Sequence, residues 1–140
     1  MQQKLTRAQY EATCGYTTKE NCPFCGDFAN HEILHRTEYW TVVFALYPYF
    51  DREGEHILAI PKRHTEFTSS LSKEEFGDFV EVEKFVQQFY QKQQTEYFSF
   101  IRESKSNKSI EHLHYHFLPG IPSSKLLDGE KYIKIKNGKK

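Results

Sequence analysis

Glu111-His112-Leu113-His114-Tyr115-His116-Phe117-Leu118-Pro119 is the stretch from which the rest of the chain can be read. Three of the seven histidines stand here, each two residues from the next, with apolar or aromatic residues between them. Alternation of this kind marks a β-strand, whose residues i, i+2 and i+4 point to one face. The spacing predicts a strand with His112, His114 and His116 on one side and Leu113, Tyr115 and Phe117 on the other. Same-face neighbours stand roughly 6.6 Å apart along a strand, so three imidazoles can hold three separate posts. Such a row can also be a set of metal ligands, or the polar face of a half-solvated strand. The pattern favours one reactive histidine flanked by helpers.

Outside this stretch the totals set bounds. The chain has 140 residues, enough for one domain with a modest core. Lys+Arg and Asp+Glu both number 19, so no net field draws it to nucleic acid or an anionic membrane surface. Aromatic residues make up 16%, so the core must be largely aromatic. No apolar run is long enough for a transmembrane helix, and Met1 to Leu5 lacks the apolar heart of a signal peptide. Three cysteines, two of them in a C-x-x-C pair, argue against a disulfide scaffold and for a reduced, cytoplasmic setting.

In chain order, residues 1–21 form a polar N-terminal extension, with a short helix expected over Thr6 to Ala12 and a plain free thiol at Cys14. Cys22-Pro23-Phe24-Cys25 has three readings. A redox pair needs a helix N-terminus to lower the thiol pKa, and Gly26-Asp27 followed by a strand-like run supplies none. Half a zinc site needs two more ligands from elsewhere. The third reading is a structural turn with two idle thiols. Ile33 to Arg36 and Tyr39 to Phe44 read as a hairpin, the first strand at a sheet edge with His31 and His35 on the surface, the second buried on both faces. Ile57 to Ile60 is a further buried strand, closed by Pro61.

Ser72 and Glu75 form a capping-box pattern at the start of a helix expected to run to about Gln93, with Leu71 stapled onto Phe76. Phe76, Phe79, Val80, Phe85, Val86, Phe89 and Tyr90 recur at helical spacing along one face, with Val82 off the stripe. Tyr97 to Ile101 is another strand, and Arg102 to Ser109 a polar, basic loop. Tyr132 to Lys136 alternates as a late edge strand within a basic C-terminal strand and tail, 125–140. The fold class expected is α+β: one domain over 1–140, an antiparallel sheet of about five strands with one long helix packed on it.

His112-Leu113-His114-Tyr115-His116-Phe117-Leu118 resembles the signature of the histidine-triad (HIT) superfamily without a mismatch. His56-Ile57-Leu58-Ala59-Ile60-Pro61-Lys62-Arg63-His64 resembles a second segment of that superfamily, and Cys22-Pro23-Phe24-Cys25 a third, all in family order. The resemblance implies a nucleotide hydrolase or transferase of nucleoside phosphoramidase or dinucleoside polyphosphate hydrolase type. His114 would be the nucleophile, forming a covalent nucleotidyl-histidine intermediate, with His116 contacting phosphate. It implies structural zinc on Cys22, Cys25, His64 and His112, phosphate contacts from Ser109 with Asn107 and Lys108 nearby, and a homodimer. Tyr39, Trp40, Phe44 and Tyr47 are candidates for the walls of a nucleoside pocket. The chain departs from the pattern in three places: Glu55 stands where glycine is expected, Phe44 to Tyr49 lacks the usual acid or amide, and charged side chains replace glycines in the 102–109 loop. These departures support a rival reading, a nucleotide-binding regulatory module without turnover.

Overall fold

The structure, a computed structural model, describes residues 19–49, 54–103 and 110–128. The expectations for Thr6 to Ala12, Cys14, Tyr132 to Lys136, Asn107, Lys108 and Ser109 fall outside those residues. Five strands, β1 (Ile33–Arg36), β2 (Trp40–Phe44), β3 (Ile57–Pro61), β4 (Tyr97–Phe100) and β5 (Tyr115–Pro119), form one antiparallel sheet in the order β1-β2-β3-β5-β4. The long helix α1 (Lys73–Lys92) links β3 to β4, and a short helix α2 (Ser124–Asp128) opens the region expected to be basic strand and tail. Among the described residues no helix is long and apolar enough to cross a membrane.

Alternation within the strands sorts their side chains onto two faces. Trp40, Val42, Ile57, Ala59 and Phe117 turn to α1 and bury against Val82, Val86 and Tyr90. Val43, Leu58 and Ile60 turn the other way and are covered by Phe24 and Phe28 of the N-terminal loop. A helix thus closes one face and a loop the other, and the histidines lie on the loop side.

The helix phase differs from the expected stripe. Val82 is fully buried, whereas Phe76 and Val80 are each 54% exposed. The inward line is Phe79, Val82, Val86 and Tyr90, and Leu71 packs on this core while Phe76 is mostly exposed. The capping box does form: Glu75 N–H donates to Ser72 Oγ and Ser72 N–H to Glu75 Oε1. Tyr90 Oη donates to the carbonyls of Glu55 and Phe117, tying α1 to both neighbours of the site. His35 stacks on Phe85 at 4.7 Å and is half-buried there, not a bare surface residue, because β1 lies over the outer part of α1.

Glu75 serves two structures at once. Its carboxylate accepts from Arg63 at 2.8 and 3.1 Å while capping α1, and its main-chain carbonyl accepts from the Trp40 indole at 2.7 Å. The Arg63 hydrogen bond holds the Glu75 carboxyl below its ordinary value. A depressed folded-state value means the stabilisation is complete above the unfolded carboxylate's titration and is lost as pH falls through the folded one. Glu75→Gln keeps the cap geometry and removes the charge. It is expected to cost about 1–2 kcal/mol at pH 7, since half-exposed Arg63 is partly screened. Melting curves of both proteins from pH 7 to pH 3 check this: the gap should close on acidification.

Candidate functional site

The histidine row does not lie wholly in one strand. β5 begins at Tyr115, so His112 and His114 precede it and only His116 is within it. Proline explains the boundary. Pro61, at the end of β3, has no N–H to continue the ladder, and its carbonyl accepts from His112 Nε2–H at 2.7 Å instead. Leu113 N–H leaves the sheet as well and donates to the Thr65 carbonyl at 2.7 Å. The three rings therefore occupy different surroundings rather than an even row.

His112 turns into a cluster with Cys22, Cys25 and His64, whose ligand atoms all lie within 4.8 Å of one another. Nδ1 of His112 is 3.3 Å from Cys22 Sγ and 3.4 Å from Cys25 Sγ, and Nδ1 of His64 is 3.0 Å from Cys25 Sγ. Ligands at tetrahedral zinc bond lengths stand roughly 3.5 Å apart, so the set fits such an ion. The outer atoms fit too. His112 Nε2–H donates to Pro61 O, and His64 Nε2–H donates to Glu111 Oε1 at 2.9 Å, which fixes both rings with Nδ1 facing the sulfurs. Phe24 N–H donates to Cys22 Sγ at 3.3 Å. Burial pushes the Cys22 thiol up to about 12, so ionising it calls for the charge of a cation.

His114 and His116 line a cavity of about 390 Å³. The main-chain oxygen of His112 accepts from His114 Nδ1–H at 2.7 Å. In the neutral ring that hydrogen bond puts the lone pair on Nε2. Phe24 packs edge-on against His114 at 5.3 Å, and His116 lies 4.9 Å from it.

The tautomer of His116 follows from a relay. Tyr49 N–H donates to His56 Nδ1 at 3.2 Å, so His56 carries its proton on Nε2. That proton is donated to His116 Nδ1 at 2.9 Å, so His116 in turn presents an Nε2–H. Both rings are buried, and Phe100 stacks flat on His116 at 4.6 Å. One ring of the pair lining the cavity thus carries a lone pair on Nε2 and the other a proton there.

Of the four aromatic residues expected to wall a nucleoside pocket, only Tyr47 lines this cavity. Trp40, Phe44 and Tyr39 pack on the helix-side core, Trp40 against Phe79 and Phe44 against Phe89. The strand parity that turns His116 to one face turns Trp40 and Phe44 to the other. The wall comes instead from the loop that carries Cys22 and Cys25: Phe24, Asp27, Phe28, Asn30 and His31. Phe28 takes a left-handed backbone, φ 59°, at a cost of about 1 kcal/mol. Ala29 N–H donating to Asp27 Oδ1 and His31 N–H donating to Phe28 O hold that turn. His31 is no surface residue: burial lowers its pKa, which keeps its ring neutral in the wall. Tyr49 and Arg102 complete the lining, and sequence reasoning passed over both.

The HIT domain family model matches residues 36–122, more than half of the chain. The chain belongs to the HIT domain family. None of the curated proteins matches it. Solved structures similar to this HIT domain include a HIT family hydrolase from Clostridium thermocellum, at 22% identity over 76% of this chain and 98% of that one, with a TM-score of 0.60. A histidine triad nucleotide-binding protein from Candida albicans is 18% identical over 81% of this chain and 95% of that one, with a TM-score of 0.60. A hypothetical protein from Leishmania major is 17% identical over 81% of this chain and 94% of that one, with a TM-score of 0.63. At these identities the likeness is one of fold.

Proposed function

We propose that this HIT domain is a nucleotide hydrolase or nucleotidyltransferase that attacks an α-phosphate through His114. The observation that carries the reading is the His114 Nδ1–H hydrogen bond to the His112 carbonyl, in a ring that lines the cavity beside His116. The Nε2 lone pair forms a P–N bond as the bond from phosphorus to the leaving group breaks, and the leaving group departs with that electron pair. The imidazole of the intermediate is cationic, with Nδ1–H still held by the carbonyl. Water or another acceptor then attacks phosphorus, the P–N electron pair returns to Nε2, and the acceptor's proton goes to solvent. His116 Nε2–H stabilises charge on a non-bridging oxygen. Ser109, Asn107 and Lys108 are proposed as further phosphate contacts. The apolar wall of Phe24, Phe28, Ala45 and Leu58 suits a nucleobase.

Zinc is the ion proposed for Cys22, Cys25, His64 and His112, since two thiolates and two imidazoles suit it and leave no open position. Its role would be to brace. A cytoplasmic homodimer is proposed as the working form, supported by β4 at the sheet edge and by exposed Phe76 and Val80 on α1.

The test is an acid-quenched incubation with adenosine 5′-phosphoramidate and with a dinucleoside polyphosphate. The expected result is release of product, with a nucleotidyl adduct found on the peptide containing His114. Tight nucleotide binding with neither product nor adduct would establish the binding-module reading instead.

A further inference from the structure

Arg102 follows β4 by two residues and lines the same cavity as His114 and His116. Its guanidinium donates to Tyr49 Oη, with the guanidinium carbon 5.9 Å from the centre of that ring. Tyr49 is the residue whose N–H sets the His56 tautomer, and its ring stacks on His116 at 5.5 Å and 24°. A guanidinium thus contacts the aromatic ring that stacks on the His116 imidazole. Among the described residues lining the cavity, Arg102 carries the only permanent positive charge, since His31 is held neutral by burial and Asp27 is acidic.

His116 Nε2–H offers one neutral donor, which suits a single phosphate oxygen. A guanidinium offers several N–H donors in a planar fork matched to phosphate and keeps its charge at every working pH. Two donors of different strength at neighbouring points of one cavity fit two neighbouring anionic groups. We propose that Arg102 is a specificity residue: it binds the phosphate next to the one attacked, so this chain prefers nucleotides with two or more phosphates over those with an uncharged amine as leaving group. The inference rests on the proposed attack at an α-phosphate. When the bridging P–O bond breaks, the departing phosphate oxygen keeps the electron pair, and Arg102 neutralises the charge gained there. An amine leaving group takes that pair on nitrogen together with a proton from solvent, so it departs neutral and draws nothing from Arg102. Tyr49 is a positioning residue, holding the guanidinium over the cavity.

The experiment measures binding of AMP and ADP by calorimetry to wild type, Arg102→Met and Arg102→Lys, alongside kcat/KM for a dinucleoside polyphosphate and for adenosine 5′-phosphoramidate. Wild type is expected to bind ADP about 10-fold or more tightly than AMP, from charge-assisted hydrogen bonds to the second phosphate. Arg102→Met should weaken ADP about 10- to 30-fold and AMP less than about 3-fold, with partial recovery in Arg102→Lys. Turnover of the polyphosphate should fall by a similar factor while the phosphoramidate is nearly unaffected. Equal losses on both ligands, or no ADP preference in wild type, overturn the assignment. If neither substrate is turned over, the hydrolase reading fails, while the ADP to AMP ratio still decides the role of Arg102.

Discussion

His114→Ala is expected to reduce turnover by about 10⁴-fold, equivalent to about 5 kcal/mol of transition-state stabilisation, while leaving the protein folded. The size of the effect follows from the role. A nucleophile makes a covalent bond that no neighbour can supply, whereas a hydrogen-bond donor lost from the same cavity costs about 10²–10³. His116→Ala should therefore be the milder variant. The stability cost should be small, because His114 is half-buried and its Nδ1–H donates to a main-chain oxygen. Free imidazole added to His114→Ala should restore part of the activity by entering the space left by the ring. The measurements are kcat on both substrates, thermal melting and metal content. Activity within tenfold of wild type would remove His114 from the chemistry altogether.

The second large effect concerns the Cys22, Cys25, His64 and His112 cluster. Chelation, or Cys22→Ser, is expected to lower the melting temperature by roughly 10 °C or more, since an ion held at about a thousandfold excess over its Kd contributes about 4 kcal/mol. The loss should be structural first. The loop that carries the two cysteines also carries Phe24 and Phe28, which cover Leu58 and Ile60 of the sheet. Without a cation at its base, that loop loses its tie to the end of β3 and to the segment before β5, and the cavity loses a wall. Nucleotide affinity should fall more than kcat at temperatures where the metal-free protein stays folded. Metal analysis and melting with and without a chelator check the first claim, and KM against kcat the second. An unchanged melting temperature in a protein shown to be metal-free would rule out a bracing role.

Much of this was legible in the chain. Period-two alternation around His116, the apolar run Ile57 to Ile60 closed by Pro61, and the capping box at Ser72 each rest on local features that the sequence states directly. The grouping of Cys22, Cys25, His64 and His112 was legible from resemblance alone, since nothing local links Cys22 to a histidine 90 residues away. What failed was global phase. Val82 looked off the helical stripe because the stripe was drawn from Phe76, which faces outward. Trp40 and Phe44 looked like pocket residues because aromatic character does not reveal which side of a sheet a side chain takes. The start of β5 was missed because it depends on Pro61, 54 residues away, which pairs with Trp40 on β2 but not with β5. Arg102 was read only as part of a basic loop, because a single arginine there has no pattern.

His112 joins its two neighbours through different parts of itself. Its imidazole faces the cysteines, but the atom that steers His114 belongs to the main chain. Every amino acid brings that same oxygen, so substitution at position 112 cannot erase it. A chain of this fold with other side chains in place of both thiols, His64 and His112 would still offer the same main-chain acceptor to the ring two residues downstream.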